Sequence, residues 1–228
     1  MFFDPIYIII MVATAGLGFW ASFRVKSTFR KWSSVPASSG MTGAEIARTI
    51  LARSDIHDVE VERVDGFLSD HYDPRSKTLR LSPDVYDGAS VAAAGVAAHE
   101  VGHALQHNKA YWPLQVRSYL APAASFGGNI SMIVFGIGLA IGATGMATLG
   151  VLLFALMVAF TLITLPVEFD ASNRAKALLP EMGVTAGADG VGVSKVLNAA
   201  AMTYVAGAVS AIATLIYLIF QSGLGRDD

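Results

Sequence analysis

Four hydrophobic stretches constrain this chain more than any other feature of its sequence. They cover residues 6–23, two segments within residues 118–167, and residues 204–220. Each could form a helix that crosses the hydrocarbon core of a bilayer, which takes about 20 apolar residues. A weak break, Gly-Ala-Thr-Gly at residues 142–145, separates the two middle segments. The chain is therefore predicted to be a multi-pass protein of the cell membrane, with the lipid bilayer as its first partner.

The composition supports a membrane protein and excludes several other classes. Hydrophobic residues make up 54% of the chain and charged residues 15%, well below the roughly 25% charge of soluble domains. No basic aromatic patch suggests a nucleic-acid partner, and the lack of Cys excludes disulfides and thiolate metal sites. The first stretch could be a cleaved signal peptide, but Asp4 stands where basic residues are expected, and basic residues follow the stretch instead. We therefore expect an uncleaved signal anchor.

The positions of the basic residues predict the orientation in the membrane. Every Lys and Arg except Arg226 lies in residues 24–117 or 168–203, and the positive-inside rule places such segments in the cytoplasm. Both termini and the uncharged turn between the middle segments would then face outward. The predicted organisation is an N-terminal transmembrane anchor (1–23), a cytosolic unit with a small sheet (24–117), a transmembrane hairpin (118–167), cytosolic helices (168–203), and a C-terminal transmembrane helix with a short tail (204–228).

An H-E-V-G-H motif, from His99 to His103, points to a metal-dependent chemistry. Ser90 is a plausible N-cap, and residues 91–105 are mostly Ala, Val and Leu, which favours a helix. On a helix the two histidines lie roughly 40° apart and about one turn apart, so that both imidazoles reach one ion. Glu100 flanks that ion, where a general base for an activated water must stand. The alternative is that both histidines are core residues whose ring nitrogens are hydrogen-bonded to neighbouring groups and bind no metal.

His107 extends the histidine series by another helical turn, but it does not suit the same ion. By helix rise, His99 and His107 would be about 12 Å apart, whereas zinc–nitrogen bonds measure about 2 Å. The extended motif H-E-x-x-H-x-x-G-x-x-H avoids this with a Gly that ends the helix, and Leu105 stands at that position here. His107 is predicted to be a helix-end or site-rim residue, so the third ligand must come from elsewhere on the cytosolic side.

Glu168 is the best candidate for the third ligand. It follows the third hydrophobic segment and Pro166, at the expected start of a helix to about residue 179. Its helical face is otherwise small and apolar, and a carboxylate there is costly unless it is paired, protonated or bound to a metal. The alternative is a charge favoured by a helix N-terminus, an explanation that would apply equally to Asp170.

Three runs of sequence resemble a known family. H-E-V-G-H-A-L-Q-H at residues 99–107, L-P-V-E-F-D-A-S-N-R-A at 165–175 and K-V-L-N-A-A-A-M-T-Y at 195–204 are together similar to the YugP family of membrane zinc metallopeptidases. The resemblance spans nearly the whole chain. It implies a gluzincin-type site with one Zn²⁺ per chain, in which the metal ligands are His99, His103 and Glu168 and the catalytic base is Glu100.

More distant relatives, the HtpX-like and CAAX prenyl proteases, carry E-x-x-x-D after their second motif. In this chain Ser172 occupies the place of that Asp. Asp170 would face roughly the opposite side of the helix. A carboxylate that holds a ligand histidine is therefore not expected at position 172.

The segment before the metal motif reads as a small folded unit. Thr42 and Glu45 form a capping box that opens a helix to about residue 53, and Pro83 starts another short helix. Residues 34–40 resemble a linker. A strand edge beside the motif helix could bind a peptide substrate through main-chain hydrogen bonds or could be only a scaffold. Three short strands are expected at residues 59–64, 66–72 and 78–82.

The sequence thus predicts a mainly α membrane protein with about four transmembrane helices and a cytosolic α+β zincin-like metalloprotease unit. Its function would be zinc-dependent endopeptidase hydrolysis of peptide or membrane-protein substrates near the cytoplasmic membrane face, by metal-activated water. The alternative is a non-catalytic membrane metal-binding scaffold or chaperone-like protein, although structural zinc usually has a fourth protein ligand. Several residues could chemically stabilise the oxyanion: His71, Tyr72, His107, Arg174 and Tyr204.

Overall fold

The computed structural model describes residues 4–223, and most of them are helical. The C-terminal end of the expected tail, with Arg226, lies outside the described residues. The elements in chain order are α1 (Pro5–Ser33), α2 (Gly43–Arg53), β1 (Glu60–Arg63), β2 (His71–Asp73), β3 (Thr78–Leu81), α3 (Pro83–Tyr86), α4 (Val91–Asn108), α5 (Trp112–Ala140), α6 (Thr144–Glu181) and α7 (Ala188–Ser222).

Four helices, α1, α5, α6 and α7, are long and apolar enough to cross a membrane. The predicted fold class, a helical membrane protein with a small α+β unit, is confirmed. The predicted start of a separate helix at Pro166 and Glu168 is wrong, because α6 runs without interruption through Pro166. Proline removes one i→i−4 hydrogen bond, but Val167 and Ala171 just beyond it are fully buried, and this packing holds the helix together across the defect.

The chain divides into two compact units. Unit 1 comprises residues 1–21, 115–165 and 203–228, and its core packs Phe135 of α5 against Val151 and Phe154 of α6. A Cβ added to Gly150 would lie 2.6 Å from the Phe135 amide nitrogen. This glycine therefore allows the two backbones to approach closely, as small residues do between membrane helices.

Unit 2 comprises residues 22–114 and 166–202 and surrounds α4. Helix α4 contacts α2, α3, β2 and β3, and most of its side chains are buried. The sheet has the order β1-β3-β2, with β1 parallel and β2 antiparallel to the central β3. Both arms of the predicted capping box are present, since Thr42 N donates to Glu45 at 2.8 Å and Glu45 N donates to Thr42 at 3.2 Å.

Two local predictions in unit 2 are wrong. The expected strand at residues 66–72 is reduced to β2, because Gly66 has a φ of 117° and Leu68 a φ of 55°, which interrupt extended backbone. Residues 34–40 are not a free linker, since Val35 O accepts a hydrogen bond from Val91 N at 2.9 Å. Ser38 N also donates to the Asp189 carboxylate at 2.9 Å.

Candidate metal centre

The two motif histidines lie on one face of α4. Ser90 caps the helix by accepting a hydrogen bond from Ala93 N at 3.1 Å, as its sequence position predicted. The helix then continues through the motif to Asn108. The rings of His99 and His103 are 4.8 Å apart between centroids and nearly perpendicular. Two imidazoles are therefore presented side by side.

Glu168 of α6 meets both histidines. Its Oε2 atom lies 3.2 Å from His99 Nε2 and 3.7 Å from His103 Nε2. The carboxylate is almost completely enclosed, with Glu168 only 2% exposed and His103 8% exposed. One ligand atom from each residue lies within 4.8 Å of the others, so these three residues form a group that could hold one metal ion. The structure thus brings together all three predicted ligands.

The spacing of these atoms fits a zinc ion. Zinc bonds to imidazole nitrogen and carboxylate oxygen are about 2.0–2.2 Å long, so two donors on a tetrahedral ion stand about 3.3–3.6 Å apart. The two separations from Glu168, 3.2 and 3.7 Å, bracket that range, and all three ligand atoms lie within 4.8 Å of one another. Two imidazoles and a carboxylate are also a donor set of catalytic zinc, which keeps one position for water or substrate.

The electrostatics around His103 favour a positive charge. Burial lowers the pKa of His103, but its hydrogen bond with Glu168 and the charges of Glu100 and Glu168 outweigh burial and raise the pKa. Surroundings that favour a positive charge next to Glu168 would also favour a metal cation there.

Glu100 is buried to 8% exposure on the same helix. The negative charge of Glu100 contributes to raising the pKa of His103 and the pKa of Asp70. Burial is the main cause that raises the pKa of Asp70, and the charge of Glu100 adds to it, while hydrogen bonds from Ser82 oppose the rise. Glu100 is therefore enclosed beside the three-residue group without belonging to it.

Comparisons with known proteins identify the family. Residues 7–223 match the model of a family described as "putative neutral zinc metallopeptidase". This chain belongs to that zinc metallopeptidase family. It is also 46% identical over 223 residues to a Bacillus subtilis (strain 168) protein named "Putative membrane protease YugP", with 98% of this chain and 99% of that protein covered. No solved structure matches. The resemblance noted in the sequence is confirmed, as is a membrane metalloprotease class.

In this member of the family, each of the two motif histidines also makes a hydrogen bond through its second ring nitrogen. His99 Nδ1 lies 3.1 Å from the Ser172 hydroxyl, so Ser172 occupies with a hydroxyl the place where distant relatives carry a carboxylate. His103 Nδ1 lies 3.0 Å from Gln106 Oε1. Sequence reasoning missed Gln106, although its position three residues after His103 places it on the same side of the helix.

The remaining candidate residues are engaged elsewhere. The Tyr72 hydroxyl lies 2.8 Å from His107 Nδ1, and His107 stands near the end of α4, as predicted, outside the three-residue group. Arg174 donates to Asp170 at 2.6 Å. The exposed His71 contacts a backbone carbonyl two residues away. Tyr204, which the sequence also offered as a residue able to stabilise the oxyanion, belongs to unit 1.

Proposed function

We propose that this protein is an integral membrane zinc endopeptidase with a gluzincin-type site. One observation carries the proposal: nitrogen atoms of His99 and His103 and an oxygen of Glu168 converge within 4.8 Å of one another, with the oxygen 3.2 and 3.7 Å from the two nitrogens. Glu100 completes the H-E-x-x-H pattern from the same helical turn. One zinc ion per chain would be bound, because the motif supplies a single three-ligand set.

Glu100 would be the general base. Zinc, when bound, activates water and polarises the scissile carbonyl. Glu100 takes one proton from the attacking water as the new carbon–oxygen bond forms, and it delivers that proton to the leaving amine nitrogen as the peptide bond breaks. Its low exposure of 8% supports this role, because the carboxylate lies enclosed within the site and not on the protein surface.

Internal cleavage is supported by the sheet beside the motif helix. Strand β2 is an edge of the three-stranded sheet and contacts α4. An extended peptide that pairs with a strand edge is held along its backbone and not by its terminus. This arrangement favours cleavage within a chain, which is the reason for the endopeptidase assignment.

The site would act near the cytoplasmic membrane face. The apolar stretch of α6 ends at Val167, and Glu168 follows it directly. Residues of unit 2 carry nearly all Lys and Arg side chains of the chain, which the positive-inside rule assigns to the cytoplasm. Substrates would be membrane proteins or apolar segments that leave the bilayer, because these pass within reach of the ligand that closes the site.

The test is Glu100→Gln in detergent-solubilised full-length protein loaded with zinc. Hydrolysis of an unstructured fluorescent polypeptide should fall at least about 100-fold, while zinc content stays at the wild-type level. Glu60→Gln, an exposed Glu in the same unit, is the matched control and should retain activity. Equal hydrolysis by the Glu100→Gln and wild-type proteins would exclude the base assignment, whereas absence of hydrolysis by zinc-loaded wild type would favour the non-catalytic scaffold.

A further inference from the structure

Gln106 is a fully buried polar side chain that connects the two ligand-bearing helices. Its exposure is 0%, and it lies on α4 three residues after His103. Its Nε2 atom is 2.8 Å from Val167 O and 2.8 Å from Asp170 Oδ2, both on α6. Its Oε1 atom is 3.0 Å from His103 Nδ1. Both the nitrogen and the oxygen of the amide therefore take part in hydrogen bonds.

The neighbours of Gln106 fix the orientation of its amide. A backbone carbonyl and a carboxylate can only accept hydrogen bonds, so the group that faces Val167 and Asp170 must be the NH₂ donor. The amide oxygen must then face His103. This assignment follows from the chemistry of the partners, which decides which end of the amide is the oxygen.

The orientation of Gln106 in turn fixes the proton on His103. An amide oxygen has no hydrogen to donate, so His103 Nδ1 must carry the hydrogen of this bond. In the neutral ring Nε2 then holds the lone pair, and Nε2 is the atom that lies 3.7 Å from Glu168. Nδ1 is thus kept protonated, and Nε2 is the nitrogen left to bind a metal once the metal has displaced its proton.

Asp170 and Arg174 hold Gln106 in that orientation. Asp170 Oδ2 accepts hydrogen bonds from Gln106 Nε2 and from Arg174 Nε, and Arg174 also donates to the other carboxylate oxygen at 3.3 Å. Asp170 is two residues from Glu168 on α6. The same turn of α6 therefore supplies one metal ligand directly and orients another through Gln106.

We propose that Gln106 is a positioning residue that locks His103 in its metal-binding tautomer, and that Asp170 orients Gln106 for this purpose. The inference rests on the proposed metal site and adds to it a pair of residues that do not touch the metal. Hydrogen-bond partners of ligand histidines commonly change metal affinity by about 10- to 100-fold when they are removed. Gln106→Ala should therefore weaken zinc binding by that factor.

The experiment compares zinc dissociation constants by chelator competition for full-length purified variants. Gln106→Ala should bind zinc about 10- to 100-fold more weakly than wild type, and its cobalt-loaded form should show an altered visible spectrum even at saturating metal. Asn108→Ala, an exposed position on the same helix, is the control and should match wild type in both measurements. Thermal unfolding of each metal-free variant reports whether it is folded.

A charge exchange separates positioning from simple packing. Gln106→Glu places two carboxylates face to face and should weaken zinc binding. The double variant Gln106→Glu, Asp170→Asn restores a donor opposite an acceptor, and should regain at least about tenfold of the lost affinity, as coupled neighbours do. This pair also decides the matter if Gln106→Ala fails to fold, since absence of recovery would overturn the inference.

Failure of the inference and failure of the metal site give different results. If Gln106→Ala and wild type bind zinc equally while His103→Ala has lost zinc, Gln106 has no positioning role but the site stands. If His103→Ala also keeps its zinc, the site itself is wrong. In that case the contacts of Gln106 serve only to pack α4 on α6.

Discussion

Gly102 and Ala171 bring the two ligand-bearing helices into backbone contact. A Cβ atom on Gly102 would lie 2.8 Å from the carbonyl oxygen of Ala171 and 3.0 Å from its Cα. Gly102 is the residue before His103, and Ala171 follows Glu168 by three positions. The separation of α4 and α6 is therefore set by a missing side chain at the turn that presents the ligands.

Gly102→Ala should destabilise the protein and loosen the metal site. The added methyl group meets backbone atoms that have no room to move, and such overpacking costs about 1–3 kcal/mol. Because the strain separates α4 from α6, zinc affinity should fall together with the thermal unfolding midpoint. Both are measured on purified protein in detergent.

Gly95→Ala is the matched control on the same helix. Its Cβ would meet Val193 no closer than 3.5 Å, an ordinary contact, and replacing a helical Gly by Ala gains up to about 1 kcal/mol. The unfolding midpoint should stay equal or rise. Equal destabilisation by the two substitutions would show that close helix approach at Gly102 is not what sets stability.

The zinc content of ligand variants tests the three-residue group. Wild-type protein should retain about one zinc per chain after dialysis, because the described residues hold one three-residue group suited to a metal ion. His103→Ala and Glu168→Ala should lose it, whereas His107→Ala should keep it, since His107 Nδ1 is paired with Tyr72. Elemental analysis gives the metal-to-protein ratio. Loss of zinc from His107→Ala alone would place the ion one turn further along α4.

Local signals made much of unit 2 predictable from the sequence. The helix start at Ser90 and the capping box at Thr42 depend on hydrogen bonds between residues three apart, and such bonds can be read from the sequence itself. The position of the Glu168 carboxylate on an otherwise apolar helical face likewise singled it out, because a buried carboxylate needs a compensating partner.

Contacts across helices were not predictable in the same way. The role of Gln106 is visible only in the folded structure, where its amide donates hydrogen bonds to Val167 and Asp170 of α6. The continuity of α6 through Pro166 depends on burial of the following turns, which no local rule reports. Asp170 does face away from the ligand histidines, yet the longer side chain of Gln106 bridges the gap.

Asp70→Asn should not destabilise the protein at neutral pH. Burial raises the pKa of Asp70, so the folded state holds its proton more tightly than the unfolded state does. The ionised carboxylate therefore costs stability above its folded pKa, and this cost disappears as the pH falls through the folded pKa to below the unfolded value, about 3.9. An amide removes the charge but can still accept hydrogen bonds from Ser82.

The measurement is the unfolding midpoint of wild type and Asp70→Asn between pH 4 and pH 8. The variant should equal or exceed wild type at neutral pH, and the difference should shrink toward acid. Asp70→Ala is the comparison: it leaves the buried Ser82 without its acceptor, and should cost about 1–3 kcal/mol. A loss of stability in Asp70→Asn as large as in Asp70→Ala would contradict the pKa direction.

Cysteine labelling can locate the site relative to the membrane, because the natural chain has no Cys. Single cysteines at Ser38 and Ala188, both exposed in unit 2, should react with an impermeant reagent only from the cytoplasm. A cysteine at Ser222 should react only from outside. Ala188 is preferred to its neighbour Asp189, which is buried and accepts a hydrogen bond from Ser38 N.

The labelling outcomes discriminate between two errors. Reaction of Ser38 and Ala188 from opposite sides would be incompatible with the hydrogen bond that joins their segments and with the metal site of unit 2. Reaction of both from outside would leave the site intact and reverse its orientation.

The placement of the ligands along the chain also dictates when the site can be completed during biosynthesis. His99 and His103 leave the ribosome before α5, and Glu168 leaves it only after α5 and most of α6. With Glu168 as the third ligand, a nascent chain has only two of the three ligands in place until the hairpin of α5 and α6 has been inserted into the bilayer. If the proposed site is correct, a copy whose hairpin is not inserted would not bring Glu168 to the two histidines, and membrane insertion would then be a condition for a complete metal site.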